Sequence, residues 1–466
     1  MDINAGGGLI VEDDLSGTTD EDTQHSDDMN IHHNGGHGEN GVGGSIIANG
    51  NLHANKVHFN ITVEGGKWHF FAFPFNIKKE NIKCQDGADW VFHYYDGEVR
   101  ATNGEGGWKK VTSEEGQGNF LKAGVGYIFQ SSKNDVLVIT VDEDDNLEEE
   151  GIRFNKDNKS NSLEAHASEN EQDASWNFMG NPHLSYYDLD VTTYNAPITV
   201  WDGEKYIAVR PGDDEYQLAP FQAFFVQKPE GVKTIEFSGE NQLTHQQKET
   251  KAQTTKAYAR NRFDANRLIV NINLTNGVNT DKTRVVFNDA QKMNYEINCD
   301  AAKFASTGVP QLYTLDNRKV KYAINERPQE GGTVPMGYSV SVGGNYTIDA
   351  TRMDIPMMLK DLQTGMIHDF DEGSYTFVSE AGIFDNRFVL MTRAAATSID
   401  VATLGSIKVA ATEGGIEVSQ LNGITLNVFA AGGEKVASTQ TDGVIPVTAG
   451  IYVVETNGKS VKVVVK

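Results

Sequence analysis

The feature that most restricts this chain is the period of its apolar residues, which recur at every second position in short runs ending at Gly, Asn or Asp. Successive side chains of a strand point to opposite faces, so each run gives one face to a core and one to water. In "KVHFNITVEGGKWHFFAFPFNI" Val57, Phe59, Ile61 and Val63 share a side, and Trp68 and Phe70 resume the pattern after Gly65-Gly66, which predicts a hairpin. The Asp-Gly pairs at 96–97 and 202–203 suit the positive φ of tight hairpin turns. No segment keeps a 3.6-residue period, so no strong helix is expected. With 47 glycines against 11 prolines, the composition also fits short strands and tight turns. The expected fold class is all-β: tandem antiparallel β-sandwich modules with a small C-terminal Ig-like β-sandwich.

Length and pattern breaks divide the chain. At 466 residues it exceeds one ordinary core. Residues 1–55 are expected to be irregular, because 12–44 mix acidic residues, histidines and glycines with almost no apolar period. "INAGGGLIVEDD" nevertheless reads as one rung of β-structure cut from an upstream module, so the chain is expected to be an N-terminally truncated fragment. A first sandwich module is expected over 56–238, and polar "ENQLTHQQKETKAQTTKAYARN" marks a linker at 239–261. A second sandwich follows over 262–393, a short tether over 394–402, and a third β-module over 403–466.

Charge and cysteines exclude several classes. With 65 carboxylates against 40 Lys and Arg, the net charge of −25 offers no cationic surface for nucleic acid. No apolar run approaches the roughly 18 residues of a membrane span, so an integral membrane protein is not expected. The start lacks the basic and apolar regions of a signal peptide. Only Cys84 and Cys299 are present, which excludes a disulfide framework and leaves both as buried small hydrophobes.

Candidate chemistry is sparse. "GHGENG", residues 36–41, fits Gly-x-Gly-x-x-Gly but has no preceding strand or following helix to hold a pyrophosphate, so it reads as a glycine turn. His25, His32, His33 and His37 lie near Asp27, Asp28 and Glu39, yet no scaffold fixes them for a metal. Asp142, Asp144 and Asn146 open like a calcium loop, but Leu147 stands where glycine is required and Arg153 where a bidentate glutamate is. That loop and Asp213-Asp214 remain at most loose surface calcium sites against the plain reading of solvated acidic loops. Neither cysteine nor any Gly-x-Ser-x-Gly supplies a nucleophile, so no catalytic residue, cofactor or metal is assigned and no enzyme is expected. Two aromatics are candidate glycan contacts: Trp108 in the Gly-rich "GEGGWKK", and Trp201 at the hairpin tip "VWDGEKY". The plainer reading makes Trp68, Trp90, Trp176 and Trp201 core residues and leaves only Trp108 outside that pattern.

The final residues carry a resemblance. "ITLNVFAAGGEKVASTQTDGVIPVTAGIYVVETNGKSVKVVVK" resembles the C-terminal sorting domain of Bacteroidetes proteins exported by type IX secretion. Gly433, Val436, Gly450, Tyr452, Val453, Lys459, Val461 and Lys462 fall on its pattern. "KWHFFAFPFNI", "GVGYIFQ", "WNFMGNPHLSYYD" and "PFQAFFVQK" are similar to blocks found beside such domains in secreted proteins of that group. The resemblance implies a non-enzymatic, adhesin-like protein, secreted or on the outer cell surface. Its partners would be the type IX machinery and the cell surface that anchors it, with glycans or host surface proteins as ligands. The same lysines would also guard an exposed edge strand against pairing. The alternatives are a carbohydrate-binding surface protein and the accessory end of a secreted hydrolase.

Overall fold

The computed structural model describes residues 2–11, 29–35, 42–48, 52–54, 56–112, 120–142, 152–154, 157–189, 194–244, 266–393, 402–404, 407–412, 414–456 and 459–465. Nearly all regular structure among them is β, so the all-β expectation holds. No described helix is long and apolar enough to cross a membrane.

A five-stranded sheet runs Asp2–Ile3, Met29–His33, Lys56–Val63, Asp135–Asp142, Ile82–Cys84. It faces a four-stranded sheet of Trp108–Lys110, Trp90–Tyr95, Gly126–Ser131 and His69–Ala72. Val57, Phe59, Ile61 and Val63 point into the core between them, as their alternation requires, and meet Phe71, Phe92 and Phe129. Lys56–Val63 and His69–Ala72 belong to different sheets, so the Gly65-Gly66 turn carries the chain across the core and closes no hairpin ladder. Gly65 is needed there because a Cβ would stand 2.3 Å from the Lys133 backbone. Within the stretch read as lacking a fold, Met29–His33 runs parallel to Lys56–Val63, aligning Ile31 with Phe59. Its three inward residues, Met29, Ile31 and His33, are too short a run to stand out from a polar segment. Gly8–Val11 pairs in parallel with Ser45–Ala48.

The next segment repeats this plan. Tyr206–Val209, Ile198–Trp201, Ala223–Gln227 and Trp176–Gly180 form a sheet with the strand order of the first four-stranded sheet. Registers correspond: Ala72 pairs with Gly126 as Gly180 pairs with Ala223, and Tyr95 with Trp108 as Trp201 with Tyr206. Behind this sheet lies a second core around Tyr187, Ile198, Val200, Leu218, Phe224 and Phe237. The two sheets meet about an approximate twofold, shown by reciprocal contacts. Ala72 N donates to Phe221 O at 2.9 Å as Gly180 N donates to Gly124 O at 3.1 Å. Phe70 lies 6.0 Å from Tyr206 as Phe178 lies 5.3 Å from Trp108. Only glycine permits the approach, since a Cβ on Gly180 would sit 2.1 Å from Ala72 Cβ.

The two Asp-Gly pairs occupy equivalent places and behave differently. Asp202-Gly203 makes the expected turn, with Gly203 at φ 104° between the paired strands Ile198–Trp201 and Tyr206–Val209. Asp96-Gly97 instead starts a short helix, Gly97–Asn103, in place of the tight hairpin turn expected there. Asp96 accepts from the Glu98 and Val99 N–H groups as N-cap, and Gly104 at φ 77° ends the helix. Glu98, Arg100 and Ala101 favour helix, but a capped helix of about two turns is too short to show a period.

The 262–393 region departs from two stacked layers. It is one eleven-stranded sheet, running from Ile367–Asp369 at one end of its path to Tyr375–Ser379 at the other. The sheet curls around Val270, Leu312, Met336, Tyr338, Leu359 and Leu390. Side chains join its ends: Tyr375 Oη donates to Asp361 Oδ2 at 2.9 Å, and Phe377 lies 4.9 Å from Phe388. Strands Thr280–Phe287 and Lys321–Arg327 pair in parallel.

This barrel-like unit is fastened to the second repeat by buried charge. Arg267 forks onto Asp213 through two hydrogen bonds of 2.7 Å, and Arg284 grips Asp214 at 2.8 and 2.5 Å. Glu326, 1% exposed, accepts from Arg210 and Arg267 together. The last residues form two four-stranded sheets around a separate core of Ile407, Val409, Ile416, Val418, Leu426, Val428, Val454 and Val463.

Candidate functional site

Trp108 and Trp201, far apart in sequence, join one aromatic cluster where the two repeats meet. Phe70 lies between them, with its ring 6.1 Å from Trp108 and 5.5 Å from Trp201. Trp108 is not in a loop. It opens the strand Trp108–Lys110 and pairs with Tyr95, because Gly106 and Gly107 at φ 81° and 120° turn the chain back after the helix. Trp201 ends its strand opposite Tyr206. The twofold therefore makes two corresponding cross-strand pairs, Tyr95–Trp108 at 5.1 Å and Trp201–Tyr206 at 4.9 Å. All four rings are half-buried, flanking the packed Phe178–Phe225 stack at 4.3 Å. Burial raises both phenols, Tyr206 to about 12, so both stay protonated at neutral pH. Trp201 Nε1 is buried without a hydrogen-bond partner among the described residues. Such a cluster offers stacking surface and indole N–H, and it supplies no nucleophile or general base.

The tryptophans divide by environment. Trp176 is 3% exposed, in the core as the plainer reading had it, whereas Trp68 is 40% exposed. Tyr95, Tyr206 and Trp68 were not singled out as site residues. The signal that marks them is a repeat: Trp-x-Phe-x-x-x-Pro at 68–74 and 176–182, and Asp-Gly-Glu at 96–98 and 202–204. Their significance depends on the twofold, which brings the two copies together.

The sorting-pattern residues lie on one sheet of the terminal module. Gly433 takes φ 86° in the turn before Lys435–Thr439, where Val436 is 43% exposed. Gly450 begins the strand Gly450–Thr456. Tyr452 is buried and donates its hydroxyl to Thr448 O at 2.9 Å, fixing the entry to that strand. Val453 pairs with Lys462, Val454 with Val461, and Thr456 with Lys459. Lys459–Val465 is an edge strand that turns Val463 and Val465 inward and Lys462 outward.

The remaining candidates have structural partners or lie elsewhere. Asp213 and Asp214 hold arginines, so the loose calcium site considered there is an ion-pair lattice. His33 is a core residue: its Nδ1 accepts from Gly35 N at 2.8 Å, and burial holds its pKa down at about 4. His25, His37, Asp27, Asp28, Glu39, the "GHGENG" turn and residues 143–151 of the acidic loop fall outside the described residues. Cys84 and Cys299 are buried free thiols.

The fold and these contacts define an all-β protein of several units with an aromatic junction between two internal repeats. A family model described as a domain of unknown function (DUF8693) matches residues 165–391. That span takes in most of the second repeat and the eleven-stranded unit, the two parts joined by the arginine lattice. No curated protein matches the chain.

Proposed function

We propose that this chain is a non-enzymatic secreted or cell-surface protein, exported and anchored through residues 403–466, with adhesin-like units before them. The observation that carries this reading is the edge strand Lys459–Val465, with Lys462 exposed on it and a separate core behind it. An edge strand offers unpaired backbone groups that a carrier can extend, while the outward lysine discourages indiscriminate pairing. A core of its own lets such a module fold as a tag without depending on the rest of the chain. In a Bacteroidetes host with type IX secretion, deleting 403–466 is expected to leave the protein off the cell surface with its remaining units folded. Surface delivery unchanged by the deletion refutes the proposal.

A second reading, carbohydrate binding, is favoured by the Tyr95–Trp108 and Trp201–Tyr206 pairs. Polysaccharide titration should quench tryptophan fluorescence in the intact chain and fail to do so in Trp108→Ala and Trp201→Ala. Quenching that is the same in all three proteins refutes that site.

A further inference from the structure

The twofold relation exposes a surface whose counterpart is already occupied. In the second repeat, Trp176 and Gln227 are covered by the eleven-stranded unit. Tyr295 Oη donates to Gln227 Oε1 at 2.5 Å, Phe304 lies 4.7 Å from Trp176, and Ala208 packs on Ala301, Ala323 and Ile324. The first repeat builds the same surface from Trp68, Gln130 and Lys110. The correspondence extends to a hydrogen bond. Gln227 Nε2 donates to Ala174 O at 2.8 Å, two residues before Trp176, and Gln130 Nε2 donates to Gly66 O at 2.8 Å, two residues before Trp68.

In the first repeat this surface faces solvent. Trp68 is 40% exposed where Trp176 is 3% exposed. Gln130 Oε1, the counterpart of the atom that accepts from Tyr295, has no partner among the described residues. His93 takes the place of Thr199, lies 5.2 Å from Trp68, and keeps a buried Nδ1 without a partner among those residues. An exposed indole beside an amide already oriented by its own backbone bond has the makings of an interface anchor.

We propose that the Trp68–His93–Gln130 surface docks a second protein, one that presents a tyrosine hydroxyl to Gln130 Oε1 and a carboxylate beside it. The hydroxyl follows from the Tyr295–Gln227 bond on the equivalent surface. The carboxylate follows from charge: the exposed ammonium of Lys110 stands where the second repeat has Ala208. The covering segment of this same chain supplies such a hydroxyl in Tyr295 and also carries Asp300, whose carboxylate is taken up there by the Glu296 and Glu326 N–H groups.

The probe is a fluorescent synthetic peptide of residues 292–304, which carries Tyr295, Asp300 and Phe304, titrated into the full-length chain and followed by anisotropy. Saturable binding is expected, weakened at least tenfold by Trp68→Ala or Gln130→Ala in the chain and by Tyr295→Phe in the peptide. Lys83→Ala, an exposed position on the opposite five-stranded sheet, should leave it unchanged. Circular dichroism and melting of each variant confirm that loss of binding is not loss of fold. Absent saturable binding, or binding indifferent to Trp68 and Gln130, overturns the proposal. So does an oligosaccharide that binds and protects Trp68 from oxidation while the peptide does not, because the surface would then be a sugar site. None of these outcomes depends on how the chain is exported.

Discussion

Glu326→Gln keeps the shape of the side chain and removes its charge from the centre of the arginine lattice. Glu326 Oε1 accepts from Arg267 Nε at 3.1 Å and Asn288 Nδ2 at 2.6 Å, while Oε2 accepts from Arg267 Nη2 at 2.9 Å and from Arg210. Burial alone would raise this carboxyl, but Arg267, Arg210 and Asn288 hold it below its ordinary value of 4.5. Without the charge, both guanidiniums are left with Asp213, which is already engaged at 2.7 Å by Arg267. Removing one member of a buried pair costs about 3–5 kcal/mol. Arg210 and Arg267 keep 14% and 19% exposure, and that hydration puts the cost near the lower end, ~3 kcal/mol. For a unit of this size that is roughly 6–12 °C in calorimetric midpoint. Buried pairs are screened little, so the loss should persist at high salt. The sign with pH is also fixed. A depressed carboxyl contributes stability that is present above its ordinary value of 4.5 and is lost as pH falls through its folded value. The wild-type midpoint should therefore fall more steeply below that pH than the variant's. Equal midpoints for Glu326→Gln and the exposed control Glu330→Gln, within about 1 °C, would refute the view that this lattice fastens the two units.

Gly180→Val places a Cβ 2.1 Å from Ala72 Cβ and 2.8 Å from Gln222 O, so it should lose more than the ~1–3 kcal/mol of ordinary overpacking, whereas Gly344→Ala, with open space around it, should melt like wild type. Asp96→Ala removes acceptors for Glu98 N at 3.0 Å and Val99 N at 3.4 Å, and should cost ~1 kcal/mol in urea unfolding while speeding amide exchange across Gly97–Asn103. Burial raises the Cys84 thiol to about 11 and the Cys299 thiol further, so neither should react with a disulfide reagent at neutral pH until the protein unfolds. Prompt reaction of either thiol in the folded protein would refute its placement in the core.

Several elements could be read directly from the residues. Val57, Phe59, Ile61 and Val63 bury on one face because strand geometry leaves alternate residues no other choice. The Asp202-Gly203 turn follows from its own chemistry. The same dipeptide at 96–97 misleads, because Asp can cap a helix as well as open a turn, and only the following residues and the space available decide. Trp108 could be picked out as unusual, but its place on a strand beside Tyr95 comes from a pairing outside its local sequence. Asp213 and Asp214 read as solvated acids because Arg267 and Arg284 lie far along the chain.

The sequence by itself determined the class of structure: strand periodicity, turn residues and the absence of any sustained helical stripe are local properties, and local sterics and burial are enough to set them. Tertiary structure alone decided how many layers there are, which strand ends share a sheet, and that two segments repeat about a twofold. It also decided that one Trp of the repeated motif is sealed by a neighbouring unit while its twin faces water. Those outcomes depend on contacts between residues tens to hundreds of positions apart, whose free energy appears only when whole faces meet, so no short window of sequence contains them.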